Sequence, residues 1–262
     1  MRLGRFMRAS SDPAMLGSAM AAQTTPPSRR SRLRRPLAAL AAIALLAAGA
    51  SAVALRKSED LRPKRLVAVE PGGLYRSGQI SPRLIRGVLE DLGIRRVVWM
   101  LHYDETKPSH RAEKAAIEAL GIERMHFPLR GDGTGKLSRY ADAIAAVHEA
   151  RQAGEPVLVH CAAGSRRSAA VVAMYELLVE GRPVDTAYRE LDRFGARPVA
   201  DSPLLPYLNE NMRELAEELV ERGVIERVPD PLPRLRPPPP KGVRNRLALA
   251  AALRTPGALS TL

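Results

Sequence analysis

Beyond Leu66 the apolar positions fall into short runs and one-sided stripes separated by polar, glycine-bearing turns, the alternation of strand and helix expected of an α/β domain. Residues 66–69 and 74–76 read as short strands around the turn Glu70-Pro71-Gly72-Gly73. Ser81 followed by Pro82 reads as a helix N-cap with proline at the first helical position, and this helix should stop near Gly93. Residues 94–101, IRRVVWML, are rich in β-branched and aromatic side chains and predict a strand. Ser109 is the expected cap of a helix running to Leu120 and Gly121, and residues 122–127 predict the next strand. Ala141, Ile144, Ala145, Val147 and Ala150 make one apolar stripe along a helix over residues 138–152. Residues 157–159 are apolar throughout, as befits a strand in the middle of a sheet. Helices are predicted over 169–179 and 183–191, with one or two more over 203–222.

Both ends break this pattern. From Pro36 to Leu55 the chain carries no charge, and the run follows Arg29, Arg30, Arg32, Arg34 and Arg35. Its length suits a bilayer crossing. Ala50-Ser51-Ala52 and Ala52-Val53-Ala54 offer small-residue cleavage sites, so a signal peptide removed on export is the competing reading. Arg2, Arg5 and Arg8 tilt the charge bias towards a cytoplasmic N-terminus, which would put the rest of the chain on the periplasmic or extracellular side. The expected organisation is a disordered basic segment over 1–36, a transmembrane helix or signal core over 37–55, a linker over 56–65, one folded domain over 66–228, and a proline-rich basic tail over 229–262 that should be extended rather than packed.

The formal net charge of +13 would at face value point to nucleic acid, but its distribution points elsewhere. Residues 1–36 hold eight basic and one acidic residue, residues 56–65 five and two, and residues 229–262 six and one; residues 66–228 hold 22 and 24. The positive excess lies in the flanks, where a membrane surface explains it better than a nucleic-acid partner. A single cysteine allows no intramolecular disulfide and no multi-cysteine metal site.

That cysteine sits in Val157-Leu158-Val159-His160-Cys161-Ala162-Ala163-Gly164-Ser165-Arg166-Arg167-Ser168, an apolar strand followed by small residues and then a predicted helix. If the segment curls into a cradle, the backbone N–H groups between Cys161 and Arg167 point inward and the helix adds its positive N-terminal end, which together bind a tetrahedral anion. The same field lowers the thiol pKa from its ordinary value of about 8.5. Ala162, Ala163, Gly164 and Ser165 are small enough for the backbone to approach a ligand closely, and Arg167 supplies a planar fork for two phosphate oxygens. Arg166 stands beside it as a further cation for the substrate.

The spacing His-Cys-x5-Arg-Ser resembles the signature of the cysteine-dependent protein tyrosine phosphatase superfamily. With Leu74-Tyr75-Arg76-Ser77-Gly78-Gln79 and Gly93-Ile94-Arg95-Arg96-Val97-Val98, it is similar to the atypical dual-specificity phosphatases of bacteria, fungi and plants over about residues 66–222. The resemblance implies a central four- to five-stranded, mostly parallel sheet flanked by helices. It also implies two-step hydrolysis through a cysteinyl-phosphate without metal or cofactor. Cys161 would be the nucleophile and Arg167 the phosphate clamp. Ser168 would hydrogen-bond the thiolate, and His160 would hold the loop rather than act as a base. The family takes its general acid from an aspartate on a mobile loop before the Cys; by position that is Asp132, in the glycine-flanked segment 126–135, with Asp104 a distant second and no Trp-Pro-Asp triplet present. Relatives act on phosphoproteins, inositol pyrophosphates or lipid phosphates, and Arg166 with Arg130 favours a substrate more anionic than one phosphate. A phosphate-binding domain without turnover and a rhodanese-type sulfurtransferase are the alternatives.

Overall fold

The computed structural model describes residues 43–47 and 60–238. Residues 43–47 are helical and belong to the charge-free run. The rest of that run, the basic segment 1–36, linker residues 56–59 and the tail beyond 238 lie outside the described residues. Among the described residues no helix is long and apolar enough to cross a membrane.

Strands β1 (Val67–Glu70), β2 (Leu74–Ser77), β3 (Arg96–Trp99), β4 (Glu123–His126) and β5 (Val157–His160) form one sheet in the order β1-β2-β5-β3-β4. The β1–β2 hairpin is antiparallel, and every other pairing is parallel. The helices are α1 (Ile85–Asp91), α2 (Pro108–Leu120), α3 (Leu137–Gln152), α4 (Arg167–Met174), α5 (Val184–Asp192), α6 (Leu204–Glu210) and α7 (Met212–Glu221), with α4 running into a π turn over Tyr175–Val179.

Strand β5 is central, and its alternation feeds two cores. Val157 and Val159 pack with Ile144, Val172 and Leu215 of α3, α4 and α7, while Leu158 packs with Val97, Ile85 and Ile117 on the side of α1 and α2. Apolar burial on both faces is what a strand flanked by parallel neighbours requires. It also puts the residues that follow β5 at the C-terminal edge of the sheet, between the ends of β2 and β3.

Two expected caps are not caps. The Ser81 carbonyl accepts the amides of Leu84 and Ile85 in a turn, and α1 starts only at Ile85. Helix α2 starts at Pro108, one residue before Ser109, with Lys107 extended in front of it. At Pro108, proline loses nothing at the helix start and forces its predecessor out of the helical region, so it decides that boundary over the serine.

The proline-rich tail is not merely extended. Leu235 is 2% exposed and joins the larger core, its N–H donating to Asn209 Oδ1 at 2.8 Å and its carbonyl accepting Asn209 Nδ2 at 3.0 Å. A side-chain amide thus supplies both bonds that a neighbouring strand would. The packed domain therefore reaches past residue 228. Leu235→Ala is expected to lower unfolding free energy in urea by about 2–4 kcal/mol, in line with other buried leucine truncations; a change near zero would mean that the tail adds nothing to the core.

Candidate active site

Cys161 immediately follows β5, and its amide donates to the Ser77 carbonyl at the end of β2 at 3.4 Å. The chain then turns through residues 162–166 into α4. Three successive carbonyls of this turn are tied to groups outside it: Ala162 O accepts the Gln79 amide at 3.1 Å, Ala163 O accepts Arg65 Nη1 at 2.8 Å, and Gly164 O accepts Arg76 Nη1 at 2.7 Å. A trans peptide points its N–H opposite to its C=O. Fixing these carbonyls outward therefore aims the amides of Ala163, Gly164 and Ser165 inward, and the Gly164 amide donates to Cys161 Sγ at 3.2 Å. The turn is thus curled around the sulfur, and the cause is a set of external hydrogen bonds.

Glycine is needed at 164 for two reasons. Its φ is +69°, and a Cβ there would stand 2.5 Å from the Gly78 nitrogen and 2.8 Å from the Ser77 carbonyl carbon. Gly78 is constrained from the other side, where a Cβ would meet the Ala163 oxygen at 3.0 Å. The Arg-Ser-Gly-Gln stretch after Tyr75, which in the sequence supports only the fold, is thus the outer wall of the Cys loop.

Burial pushes the Cys161 thiol up, but the Ser168 hydroxyl and amide, the Arg167 charge and the Gly164 amide together hold it below the ordinary thiol value. Ser168 Oγ lies 3.5 Å from Sγ and donates to the Ser77 carbonyl at 3.4 Å. Arg167 opens α4. Its Nη1 faces the carbonyls of Met100 and Leu129 at 3.4 and 3.5 Å, and its buried Nε has no partner among the described residues.

His160 lies beneath the loop, fully buried, with Nε2 2.6 Å from Glu113 Oε1 and its ring stacked on Trp99 of β3 at 5.8 Å. Burial would keep this imidazole neutral, but the charge and hydrogen bond of Glu113 raise its pKa. Burial likewise opposes the Glu113 charge, and His160 with Gln79 Nε2, 2.6 Å from Oε2, brings its pKa below the usual carboxylate range. Each partner thus favours the charged form of the other. His160 Nε2 is turned towards Glu113 of α2. Glu113 was not among the residues singled out from the sequence; the signal available was a carboxylate on the buried face of α2.

Arg166 departs from its expected role. Its Nη2 donates to the Arg197 carbonyl at 2.9 Å, so in this conformation its side chain is tethered away from the cradle and only its backbone belongs to the turn. The 130–134 loop does reach the site, since a Cβ at Gly133 would lie 3.4 Å from Arg166 Cβ. On it, Asp132 Oδ1 accepts the Thr134 amide at 2.9 Å and the Thr134 hydroxyl at 2.8 Å. The Thr134 amide is the main reason that its pKa falls below the usual range, so the resting loop holds a carboxylate rather than an acid. Asp104 makes the same turn with Thr106, and its amide donates to His110 Nδ1 at 3.0 Å.

These contacts fix two outcomes. The rate of Cys161 alkylation by iodoacetamide follows the thiolate, so its midpoint in a pH titration is expected below about 8.5; Gly164→Ala, which displaces the loop, should move it upward. Glu113→Gln strips the buried partner from His160 and should lower stability in urea by about 3 kcal/mol, with the His160 ring resonances titrating at lower pH.

A family model described as the dual specificity phosphatase catalytic domain matches residues 90–209. The dual specificity protein phosphatase OPG106 of vaccinia virus (strain Western Reserve) is 41% identical over 64 residues, which cover 24% of this chain and 37% of the viral protein. The chain thus spans little more than a third of that relative. Among solved structures, Tk-PTP shares 25% identity over 60% of this chain and 95% of its own, with a TM-score of 0.45. TpbA of P. aeruginosa shares 21% over 59% and 96%, with a TM-score of 0.46. With a Cys-x5-Arg loop folded around an amide-bonded sulfur and the dual specificity phosphatase catalytic-domain model matching residues 90–209, the domain is similar to the cysteine-dependent protein tyrosine and dual-specificity phosphatases.

Proposed function

We propose that the domain hydrolyses phosphomonoesters through a cysteinyl-phosphate. The observation that carries this reading is the inward set of amides at Ala163, Gly164 and Ser165 above a sulfur whose ionisation is favoured. In the proposed first step the Cys161 thiolate forms a bond to phosphorus as the ester oxygen leaves with a proton from Asp132. In the second, water attacks the phosphorus, Asp132 takes back a proton, and the thiolate departs onto the Ser168 hydroxyl. The amides and Arg167 follow the equatorial oxygens through both steps, which is where their stabilisation lowers the barrier. The lowered pKa of Asp132 is compatible with this sequence: an arriving phosphate dianion raises the pKa of a carboxyl beside it.

The substrate we propose carries more negative charge than a single phosphate. Supporting it is a cavity of about 750 Å³ beside the site, lined by Leu129, His102, Arg130, Lys136 and Arg139 with only Glu210 opposing them. Leu129 is also the residue whose carbonyl faces Arg167. Arg130, Lys136 and Arg139 take over the part that the sequence reading gave to Arg166. The charge-free run over 37–55 further supports a domain held at, or exported across, a membrane; sequencing the mature N-terminus from a membrane fraction separates the two.

The test is hydrolysis of p-nitrophenyl phosphate. The wild-type chain should turn it over with inhibition by orthovanadate, and Cys161→Ser should be inactive. Asp132→Asn should lose about 10²–10⁴-fold on alkyl phosphates, whose leaving oxygen needs a proton, and much less on p-nitrophenyl phosphate. A chain that binds vanadate and hydrolyses nothing is a phosphate-binding domain instead, and transfer of sulfur from thiosulfate would identify a sulfurtransferase.

A further inference from the structure

Arg76 is completely buried in the middle of a sheet, an arrangement that costs several kcal/mol unless every part of the charge is answered. Here it is. Nε pairs with Glu190 of α5, Nη2 reaches the Glu190 carbonyl at 3.4 Å, and the guanidinium stands 5.2 Å from the centre of the Phe194 ring. Those contacts alone would describe a bolt fastening α5 to the sheet. The remaining contact is different in kind, because Nη1 donates 2.7 Å to the carbonyl of Gly164, inside the Cys loop.

We propose that Arg76 and Glu190 are a positioning pair for the phosphate loop: Glu190 aims the Arg76 guanidinium, and Arg76 holds the 164–165 peptide in the one orientation that presents the Ser165 amide to an anion. The residue is clamped at both ends, its N–H on Cys161 Sγ at 3.2 Å and its C=O on Arg76. Its left-handed φ of +69° leaves the 164–165 peptide free to rotate in any chain lacking one of those contacts. Rotation would replace an inward N–H with an inward carbonyl, exchanging a donor for a negative dipole directly above the sulfur and the bound phosphate. Burial, then the Arg193 charge, lowers the Arg76 pKa to about 10, so the guanidinium stays charged through neutrality. Neither residue touches substrate, and the pair acts through Gly164.

The pair is also addressable from outside. Glu190 lines a cavity of about 740 Å³ beside β1 and α5, with Glu176 and Arg193 around it and Pro237 and Pro238 at its edge. Arg193 Nη1 lies 3.8 Å from Glu190 Oε2, so a second cation already competes for the same carboxylate.

This inference rests on the phosphatase reading for its purpose but is tested without turnover. The readouts are the pH midpoint of Cys161 alkylation by iodoacetamide and protection of Cys161 by inorganic phosphate, in the full chain and in Arg76→Lys and Glu190→Gln. The groups that face Cys161 otherwise, Arg167, Ser168, His160 and Tyr140, are unchanged. Lysine keeps the charge but cannot bond Glu190 and Gly164 together, so Arg76→Lys should raise the alkylation midpoint by about one pH unit and weaken phosphate protection about tenfold. Glu190→Gln keeps the shape and should move both in the same direction by less; it carries the test alone if Arg76→Lys does not fold. A purely structural bolt would lower the melting temperature in either variant and leave both readouts unmoved well below it, and that result overturns the proposal. Shifted midpoints in a chain that hydrolyses no phosphomonoester would support the pair and refute the phosphatase reading.

Discussion

Three outward-facing carbonyls decide whether the segment after β5 is an anion cradle or an ordinary turn. Ala162, Ala163 and Gly164 surrender their oxygens to the Gln79 amide, Arg65 and Arg76, and planarity of the peptide then turns the next three amides inward, that of Gly164 onto the sulfur. An N–H within reach of a thiolate is worth more in a buried site than in water, because no solvent competes for it. The burial that would otherwise keep Cys161 protonated is thereby turned into the condition under which its partners act most strongly.

Everything around the loop serves that geometry. Parallel pairing of β5 with β2 and β3 brings Ser77 and Trp99 level with His160, so the loop begins between two fixed strand ends. Beneath it the His160–Glu113 pair, closed by Gln79, lies one residue from the sulfur. Gln79 serves both layers, its side chain on Glu113 and its backbone on Ala162. The second β-strand is therefore as much a part of the site as the loop, although its residues lie more than eighty positions earlier in the chain.

The 130–134 loop is the most exposed part of this arrangement. Gly133 packs against Arg166, yet the Asp132 carboxyl is turned onto Thr134 and exposed. A resting site without substrate favours the ionised carboxylate, and a phosphate dianion is the charge that would reverse the preference. Arg166 is likewise committed to the Arg197 carbonyl, which shifts the positive lining beside the site to Arg130, Lys136 and Arg139.

Much of this was legible in the sequence. Apolar periodicity located the five strands and the helices to within a few residues, because burial against a neighbour is repeated at each turn or pleat and leaves a periodic trace. The Cys-x5-Arg-Ser spacing likewise marked the turn between β5 and α4 that brings Ser168 and the Gly164 amide to the sulfur, since such a turn is built mostly from consecutive residues. The sequence does not show that Ser81-Pro82 forms a separate turn before Ile85, nor that proline sets the start at Pro108, and one buried leucine in a proline run has no period to reveal the packing of Leu235. Arg76, Glu190 and Glu113 could be assigned roles only in three dimensions. Each looks like an ordinary charged residue in its own segment, and its function comes from a partner that only the folded sheet brings within 3 Å.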